Sequence, residues 1–265
     1  MSLSDLYREP VPLDRGAHRA KRLVPLARFE RMATQNLAPV TVGEFADVAK
    51  EYVIAFVPVT PPTGAAAGEV TPVALLGLRQ RENLFVEADG RWGARYMPAF
   101  LRRYPFFQSP TPDGGAPAVM VDASYPGFSD SEGERLLGDD GEPTPLLQQT
   151  IRFLDEFERE LQRTRAVCAR IVQLGLLKPV NIDLKLPDGQ NFSASGLQVV
   201  DEAKLRELPA DTACELLRNG MLLLLHAHLL SSSNVHRLGE RLAARLGAAP
   251  AAAASAAPAG PASTH

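Results

Sequence analysis

The sequence predicts an α+β fold, in which antiparallel β meanders and hairpins pack with one long helix and a C-terminal helical segment. Two early runs, residues 52–59 and 70–78, are rich in the β-branched and aromatic residues that favour strands. Later, apolar residues between Leu147 and Ile171 recur at helical spacing. Because strand-like and helix-like patterns are grouped along the chain instead of alternating, a doubly wound parallel sheet is not expected.

The chain divides into three regions. Residues 1–36 have no sustained periodicity and predict an irregular extension of low order, with at most a short strand near residues 23–26. Residues 37–246 form the main domain, with a β-rich lobe to about residue 142 and a helix-rich lobe from about residue 143. The tail, residues 247–265, is rich in Ala and Pro and is expected to be disordered.

Within the β-rich lobe, Thr41 and Glu44 form a capping box, which predicts the start of a short helix. The loop 61–68, between the two strand-like runs, is flexible by composition. Residues 83–87 and 91–96 flank an Ala-Asp-Gly turn and predict a hairpin.

Prolines define the next elements of this lobe. Pro98 begins a single helical turn, and Pro105 forces Tyr104 out of the helical region, which predicts a sharp bend. Residues 119–122 then predict a short buried strand, and residues 133–137 predict a short helix within a long loop.

In the helix-rich lobe, Thr144 is expected to cap a long helix that runs until Gly175, with Pro145 at its first position. Residues 180–186 and 190–195 flank a Pro-Asp-Gly turn and predict a second hairpin. Three shorter helices follow, with approximate ranges 202–208, 211–230 and 234–246. Their predicted caps are Asp201, Asp211, and Asn234 or a neighbouring serine.

Composition excludes several classes of protein. The chain has 265 residues, of which 45% are hydrophobic and 22% charged, and a net charge of −3, which argues against an overall basic nucleic-acid binder. The longest apolar run, residues 221–225, is far shorter than the roughly 20 residues of a membrane helix. Residues 1–26 contain acids, prolines and arginines where a signal peptide would be apolar, so a cytoplasmic location is expected.

Metal and cofactor chemistry is not expected either. His226 and His228 are two positions apart on a predicted helix and point to different sides, so they cannot bind one metal together. Cys168 and Cys214 lie within predicted helices and are expected to be buried packing residues. Neither a nucleophile elbow nor a Gly-rich phosphate loop is present. The sequence therefore predicts no metal, no cofactor and no nameable catalytic residue.

Aromatic and arginine residues are concentrated in segment 82–107, which contains the only tryptophan, two of the five tyrosines and four of the eleven phenylalanines. Arginine stacks on aromatic faces and binds carboxylates or phosphates through its planar fork. Two interpretations stay open: the arginines join the hairpin to an acidic segment while the aromatic residues fill the core, or the group forms a recognition surface for a peptide. The candidate binding residues are Trp92, Tyr96, Arg102, Arg103, Tyr104 and Asp122.

Charge is unevenly distributed around this segment. Residues 79–103 carry six arginines against three acids, whereas residues 113–142 carry one arginine against eight acids. The acidic segment is either a solvated loop or a surface attracted to the basic segment or to a charged partner. Asp122, at the end of a short strand, either caps the next turn or lies in a cleft, where it would pair with Arg102 or Arg103.

Three blocks of sequence resemble the SapC family of bacterial proteins, and the resemblance covers most of residues 37–240. The first block, within residues 73–107, contains GLRQRENLFV, RWGARYMPAF and RRYPF. The second, within residues 119–144, contains VMVD and GERLLGDDGEPT, and the third begins with GLQVVDEAKLREL at residues 196–208 and continues at residues 220–231. The resemblance brings no catalytic residues to this chain.

The resemblance implies a function without defining a mechanism. Some members of the family are associated with a paracrystalline surface layer, and others are encoded beside peptide-modifying oxygenases, flavin halogenases and outer-membrane receptors. The leading hypothesis is a non-catalytic accessory protein that binds a protein or peptide, in surface-layer biogenesis or in handling a modified peptide or imported nutrient. The alternatives are an enzyme acting on peptides or amino acids, with Asp122 and the arginines in a cleft, and a structural surface-layer component exported by a non-Sec route.

Overall fold

The computed structural model describes residues 6–59, 68–111, 114–185 and 191–247. It confirms the α+β class, because antiparallel sheets pack with one long helix and a C-terminal group of helices. The turn at 187–189, the tail from residue 248 and all of the loop 61–68 except Gly68 lie outside the described residues. The expectations for those segments stay predictions.

Strands predominate in the described chain before residue 145, and helices predominate after it. The strands are β1 (Pro10–Pro12), β2 (Arg22–Leu23), β3 (Leu37–Pro39), β4 (Ile54–Pro58), β5 (Val70–Leu75), β6 (Phe106–Ser109), β7 (Ala118–Asp122), β8 (Phe128–Ser129), β9 (Glu134–Arg135), β10 (Leu177–Lys185) and β11 (Asn191–Val200). The α-helices are α1 (Phe45–Val48), α2 (Ala99–Arg102), α3 (Pro145–Gln173), α4 (Glu202–Arg206), α5 (Ala210–Arg218), α6 (Met221–Ser231) and α7 (Val235–Gly247).

A five-stranded antiparallel sheet, in the order β10-β11-β4-β5-β3, forms the centre of the fold. The predicted meander is confirmed as the β4–β5 pair, in which Ile54 lies opposite Ala74. The predicted second hairpin is confirmed as β10–β11, with Leu177 opposite Val200. Strands β4 and β5 are almost wholly buried, which explains why their sequences are continuously apolar instead of alternating.

Residues 6–36 are part of the packed structure, although their sequence predicts an extension of low order. Strand β1 pairs with β7, and β2 lies between β8 and β9, in both cases antiparallel. Leu6 and Tyr7 are buried in the main core. These apolar residues follow neither a helical nor a strand period, so the pattern could not indicate that they are buried.

The long helix α3 is confirmed with its predicted cap. The Thr144 side chain accepts a hydrogen bond from the backbone N–H of Leu147, and Pro145 occupies the first helical position. The helix ends before Gly175, whose φ of +63° lies in the left-handed region that glycine adopts without strain. One face of α3 packs on strand β5 and on the turn before α1, so this helix is held against elements from the first part of the chain.

The C-terminal helices differ from the prediction at two points. The predicted cap Asp211 is wrong, because α5 begins at Ala210 with Pro209 at the N-cap position, and Asp211 lies within the first turn. The helix expected over residues 211–230 is divided into α5 and α6 at Asn219 and Gly220. Gly220 has a φ of +79°, which interrupts the helical backbone and changes its direction. The predicted cap Asp201 is confirmed, because its side chain accepts a hydrogen bond from the Ala203 N–H.

The capping box predicted at Thr41 is also confirmed. The Thr41 N–H and its hydroxyl both donate to Oε2 of Glu44, each at 2.9 Å. The turn opened by this box is a 3-10 helix, Val42–Glu44, which continues into α1 and ends at Val48. Glu44 is buried, and its second oxygen is therefore available to other buried donors.

The hairpin predicted at residues 83–96 is reduced to a single antiparallel bridge between Val86 and Trp92. The side-chain oxygen of Asn83 accepts a hydrogen bond from the Phe85 N–H at 2.9 Å, which holds the chain in a turn where the first strand was expected. The Ala-Asp-Gly turn is thus predicted correctly, but the residues on either side of it do not form a continuous pair of strands.

The short helix predicted near residues 133–137 is wrong, because strand β9 occupies this position and pairs with β2. Gly133 has a φ of +88°, and a Cβ placed on it would lie 2.4 Å from the Leu23 carbonyl oxygen. The close approach of β2 therefore requires an extended chain with glycine at this point.

Helix α6 directs its two histidines to different sides, as predicted. His228 is buried, and its Nε2 accepts a hydrogen bond from the Val200 N–H at 3.0 Å, whereas His226 is exposed. The His228 ring lies 5.2 Å from the Phe56 ring. Burial lowers the pKa of this imidazole to about 4, and the Ile54 backbone opposes the shift.

The two cysteines have different surroundings. Cys168 is buried in α3, and burial raises the pKa of its thiol to about 12. Cys214 is exposed on α5, so the prediction of two buried cysteines is wrong for this residue. Leu216, two positions along and on a different side of α5, is the buried residue of this helix.

Candidate functional site

The aromatic and arginine segment forms a tight corner between α2 and β6. Helix α2 is a single turn preceded by Pro98, and the Tyr104–Pro105 peptide bond at the following bend is cis. A cavity of about 490 Å³, which we call the corner groove, lies between this corner, the N-terminal segment and the start of α3. Its apolar lining includes Leu26, Phe29, Met97, Leu101, Tyr125 and Phe153.

Arg102 lies at the edge of the corner groove with its side chain exposed. Its guanidinium carbon lies 5.3 Å from the Tyr96 ring centroid and 5.4 Å from that of Phe153. Its Nη2 donates to the Tyr96 hydroxyl at 3.4 Å, and no carboxylate of the described residues forms an ion pair with it. This cation is therefore held by aromatic faces and keeps its capacity to bind a carboxylate.

Tyr96 is itself held by the buried capping box. Its hydroxyl donates to Oε1 of Glu44 at 2.7 Å, and the Ala99 N–H donates to the same oxygen. Burial raises the pKa of Tyr96, and the Glu44 carboxylate raises it further. The orientation of the Arg102 side chain is thus set by Tyr96, which is itself held by Glu44 just before α1.

Arg103, the next residue, has different surroundings. Its side chain is buried between the Phe100 ring, at 4.6 Å from the guanidinium carbon, and the Phe157 ring, at 4.9 Å. Burial lowers the pKa of this guanidinium. Neither Arg102 nor Arg103 pairs with Asp122 or with the acids of residues 130–142, so the interpretation in which these arginines join the hairpin to the acidic segment is wrong.

Asp122 lies at the end of β7 with no exposed side-chain surface. Its carboxylate accepts six hydrogen bonds, including those from the backbone N–H groups of Arg8 and Glu9 and one from Nη2 of Arg31 at 3.0 Å. Burial alone would raise the pKa of this carboxyl, but hydrogen bonds from Ser124 and from these backbone groups lower it to about 2.

The charged partner of Asp122 is Arg31, which the sequence did not indicate. Strand β1 pairs with β7, and this pairing brings the N-terminal backbone to the carboxylate. With all of its acceptor positions in use and no exposed surface, Asp122 is a structural anchor and is not a group facing a cleft. The hypothesis that it meets Arg102 or Arg103 is corrected accordingly.

Tyr104 connects this anchor to the corner groove. Its hydroxyl donates to Oδ2 of Asp122 at 3.1 Å and accepts a hydrogen bond from Nε of Arg31 at 3.2 Å. Its side chain also lines the corner groove. Burial raises the pKa of the Tyr104 hydroxyl to about 12, so this group stays a neutral donor at physiological pH.

Trp92 is half-buried and lies outside the lining of the corner groove. Its Nε1 donates to the Tyr52 hydroxyl and to the Tyr96 carbonyl, each at 3.2 Å. Its ring stacks on Phe85 at a centroid distance of 6.1 Å. These contacts favour a packing role for Trp92, with one side open to solvent.

We expect Trp92→Ala to lower the free energy of unfolding by about 2 kcal/mol, which is less than for a fully buried aromatic residue. Trp92→Phe should cost about 1 kcal/mol, because it keeps the ring packing and loses the two indole hydrogen bonds. Chemical denaturation measures both values. Wild-type stability of the alanine variant would show that Trp92 does not pack as described and is available for recognition.

The structure therefore separates the six predicted residues. Arg102 lies on the Tyr96 ring, Tyr104 contacts Asp122, and Arg103 is buried between Phe100 and Phe157. Trp92 lies outside the corner groove and donates a hydrogen bond to the Tyr96 carbonyl. Phe153 and Phe157 were not among the predicted residues; they are four positions apart on α3 and stack on Arg102 and Arg103 respectively. Their i,i+4 spacing was a usable signal, since it places two aromatic rings side by side on one helix face.

Comparison with known proteins adds one finding. A family model described as SapC matches residues 13–238, which includes most of the packed N-terminal segment. No curated protein and no solved structure matches the chain. Among the described residues, no helix is long and apolar enough to cross a membrane, and no group of three His, Cys, Asp or Glu side chains could hold a metal ion.

Proposed function

Because the chain belongs to the SapC family, we propose that it is an accessory protein that binds a protein or peptide segment in the corner groove. Surface-layer biogenesis, or the handling of a modified peptide or imported nutrient, is the setting that family resemblance favours. The cytoplasm is the proposed location, with the cell surface reached by a non-Sec route as the alternative.

The observation that carries the proposal is the composition of the corner groove. Its lining is dominated by apolar and aromatic side chains, while Arg102 at the edge has no acidic partner among the described residues. An open apolar groove with few polar groups is suited to side-chain contacts of a bound segment more than to chemistry. We therefore expect an occupant with apolar residues next to an acidic residue or a terminal carboxylate.

The enzyme hypothesis receives less support from the same geometry. It required Asp122 in a cleft beside the arginines, and this carboxylate is buried and saturated with hydrogen bonds. Besides the two arginines, the polar side chains that line the corner groove are Gln149, Thr150, Tyr104 and Tyr125. The Tyr104 hydroxyl donates to Asp122 and the Tyr125 hydroxyl to the Val24 carbonyl, and neither Gln149 nor Thr150 has a base beside it in that lining. A nucleophile paired with a base would have favoured catalysis.

Selection of random linear peptides on the immobilised full chain tests this proposal. Wild-type protein is expected to enrich apolar peptides that carry Asp, Glu or a free terminal carboxylate. Arg102→Glu should reduce capture of these peptides at least about tenfold and change the melting temperature by no more than about 1 °C, because the side chain is exposed. Arg102→Lys should restore capture only in part, because lysine lacks the planar fork.

Two controls make the result specific to the corner groove. Gln149→Trp places a bulky ring in the groove without removing a charge and should also abolish capture, whereas Gln148→Trp, one position away and outside the lining, should not. Arg152→Glu makes the same charge change at an exposed position of α3 outside the lining. If Arg102→Glu and Gln149→Trp both capture the wild-type set of peptides, the corner groove is not the binding site.

A further inference from the structure

A second cavity, of about 680 Å³, lies beside the middle of α3. Arg103 lines both this cavity and the corner groove, and its guanidinium lies between Phe100 and Phe157, which both line the second cavity. The walls of the second cavity are largely apolar. They include Phe100, Phe107, Pro110, Pro117, Phe157 and Leu161.

Arg103 is only 7% exposed, yet its charge is incompletely compensated. Its Nε is buried without a hydrogen-bond partner. The polar groups that act on its guanidinium are the Tyr7 hydroxyl and Glu158, and no carboxylate of the described residues lies within ion-pair distance. The Tyr7 hydroxyl already donates to the Phe106 carbonyl. A buried cation without a close anion is unfavourable unless a ligand supplies one.

The remaining charges around the second cavity also favour an anion. Arg159 and Arg165 are exposed and line it together with Arg103, and Glu158 is the one acid of this lining. Three cations against one anion, beside low-dielectric aromatic walls, attract negative charge towards Arg103.

We propose that the second cavity binds a carboxylate carried on an apolar or aromatic body, with the carboxylate on Arg103 and the body against the phenylalanine rings. A monoanionic carboxylate matches a single buried guanidinium fork. A phosphate dianion would need more donors and would be repelled by Glu158. The ligand is either the C-terminal carboxylate of a peptide with an apolar last residue or a free aromatic or aliphatic acid. This site is separate from the corner groove and does not depend on the function proposed for it.

Four probes on the full chain test the proposal by calorimetric titration. They are 3-phenylpropionate, the peptide Ala-Gly-Ala-Phe with a free carboxylate, the same peptide as its amide, and phenyl phosphate. Binding of either carboxylate probe, with the amide at least about tenfold weaker, is expected because the charge-assisted hydrogen bonds are lost in the amide. Binding of the peptide acid alone identifies a peptide C-terminus as the source, and binding of phenylpropionate alone identifies a free small acid.

Variants identify where the carboxylate binds and test whether Arg103 has only a structural role. Arg103→Met keeps the aliphatic packing and removes the charge, so it should weaken carboxylate binding about tenfold or more without lowering the melting temperature. Gln162→Trp, an exposed position in the lining, should block the second cavity even if Arg103→Met fails to fold. Gln149→Trp blocks any peptide acid held in the corner groove through Arg102, so it should leave binding of 3-phenylpropionate unchanged, as should Arg152→Glu outside both cavities.

Three results with the probes would overturn the proposal. They are equal binding of the amide and the acid, tighter binding of phenyl phosphate, and absence of carboxylate binding at about 1 mM, a concentration at which even a weak small-ligand site would be partly occupied. Retention of binding by Gln162→Trp would also place the ligand elsewhere on the chain.

Discussion

Replacing Asp122 with alanine is expected to lower the free energy of unfolding by about 3–5 kcal/mol, as for breaking one side of a buried ion pair. The substitution leaves the guanidinium of Arg31, whose side chain is only 13% exposed, without its carboxylate. It also leaves the backbone N–H groups of Arg8 and Glu9 without an acceptor. Chemical denaturation of the purified variant measures the loss.

Matched variants distinguish the loss of the Asp122 contacts from the general effect on stability of removing an acidic residue. Asp130→Ala removes an exposed carboxylate from its ion pair with Lys21 and should change stability by no more than about 0.5 kcal/mol. Adding Arg31→Met to Asp122→Ala should recover part of the loss, because the uncompensated charge is removed. If Asp122→Ala melts like Asp130→Ala, the anchor does not hold the N-terminal segment.

Lowering the pH from 6.5 to 4 is expected to reduce the stability of the wild-type chain by about 3 kcal/mol through His228. An unfolded histidine has a pKa near 6.5, whereas burial lowers the pKa of folded His228 to about 4. Between these values the unfolded chain binds a proton that the folded chain does not, so stability falls as the pH falls. Denaturation curves at half-unit pH steps across this window measure the slope.

Two histidine variants identify the source of this slope. His226→Gln changes an exposed residue of the same helix and should keep the wild-type pH dependence. His228→Gln should be less stable at pH 7 and have a flatter profile between pH 6.5 and 4. Asp122 contributes below this window, because the pKa of its carboxyl is lowered from 3.8 to about 2. An unchanged slope in His228→Gln would contradict the assignment.

The Asp122 anchor also bears on the proposed binding site. The N-terminal segment supplies one wall of the corner groove, through residues such as Leu26, Phe29 and Met32. Arg31, in the 3-10 helix Glu30–Met32, ties this wall to β7 and to Tyr104. Loss of the anchor should therefore alter the groove as well as the stability, so peptide capture by Asp122 variants cannot be compared without their unfolding curves.

Short-range signals in the sequence were sufficient to predict several helices and strands. The Thr144 cap with Pro145 located the start of α3, and the box at Thr41 and Glu44 located the turn before α1. These signals work because each cap is satisfied by atoms within a few residues of it. Other signals are also contained in short stretches of sequence. They are the periodic apolar face of α3, the β-branched runs of β4 and β5, and the blocks that resemble the family.

The sequence by itself thus determined the fold class, the long helix, the family and the corner that carries Arg102 and Arg103. Only the tertiary structure decided which of these side chains are exposed and which charges meet. Arg31 and Asp122 are 91 positions apart, and Arg103 is buried by Phe157 from a different element. Such contacts leave no periodic trace, because their partners are selected by the packing of β1 on β7 and of α3 on the corner. Burial and pairing are properties of that packing, so they could be read only from the folded chain.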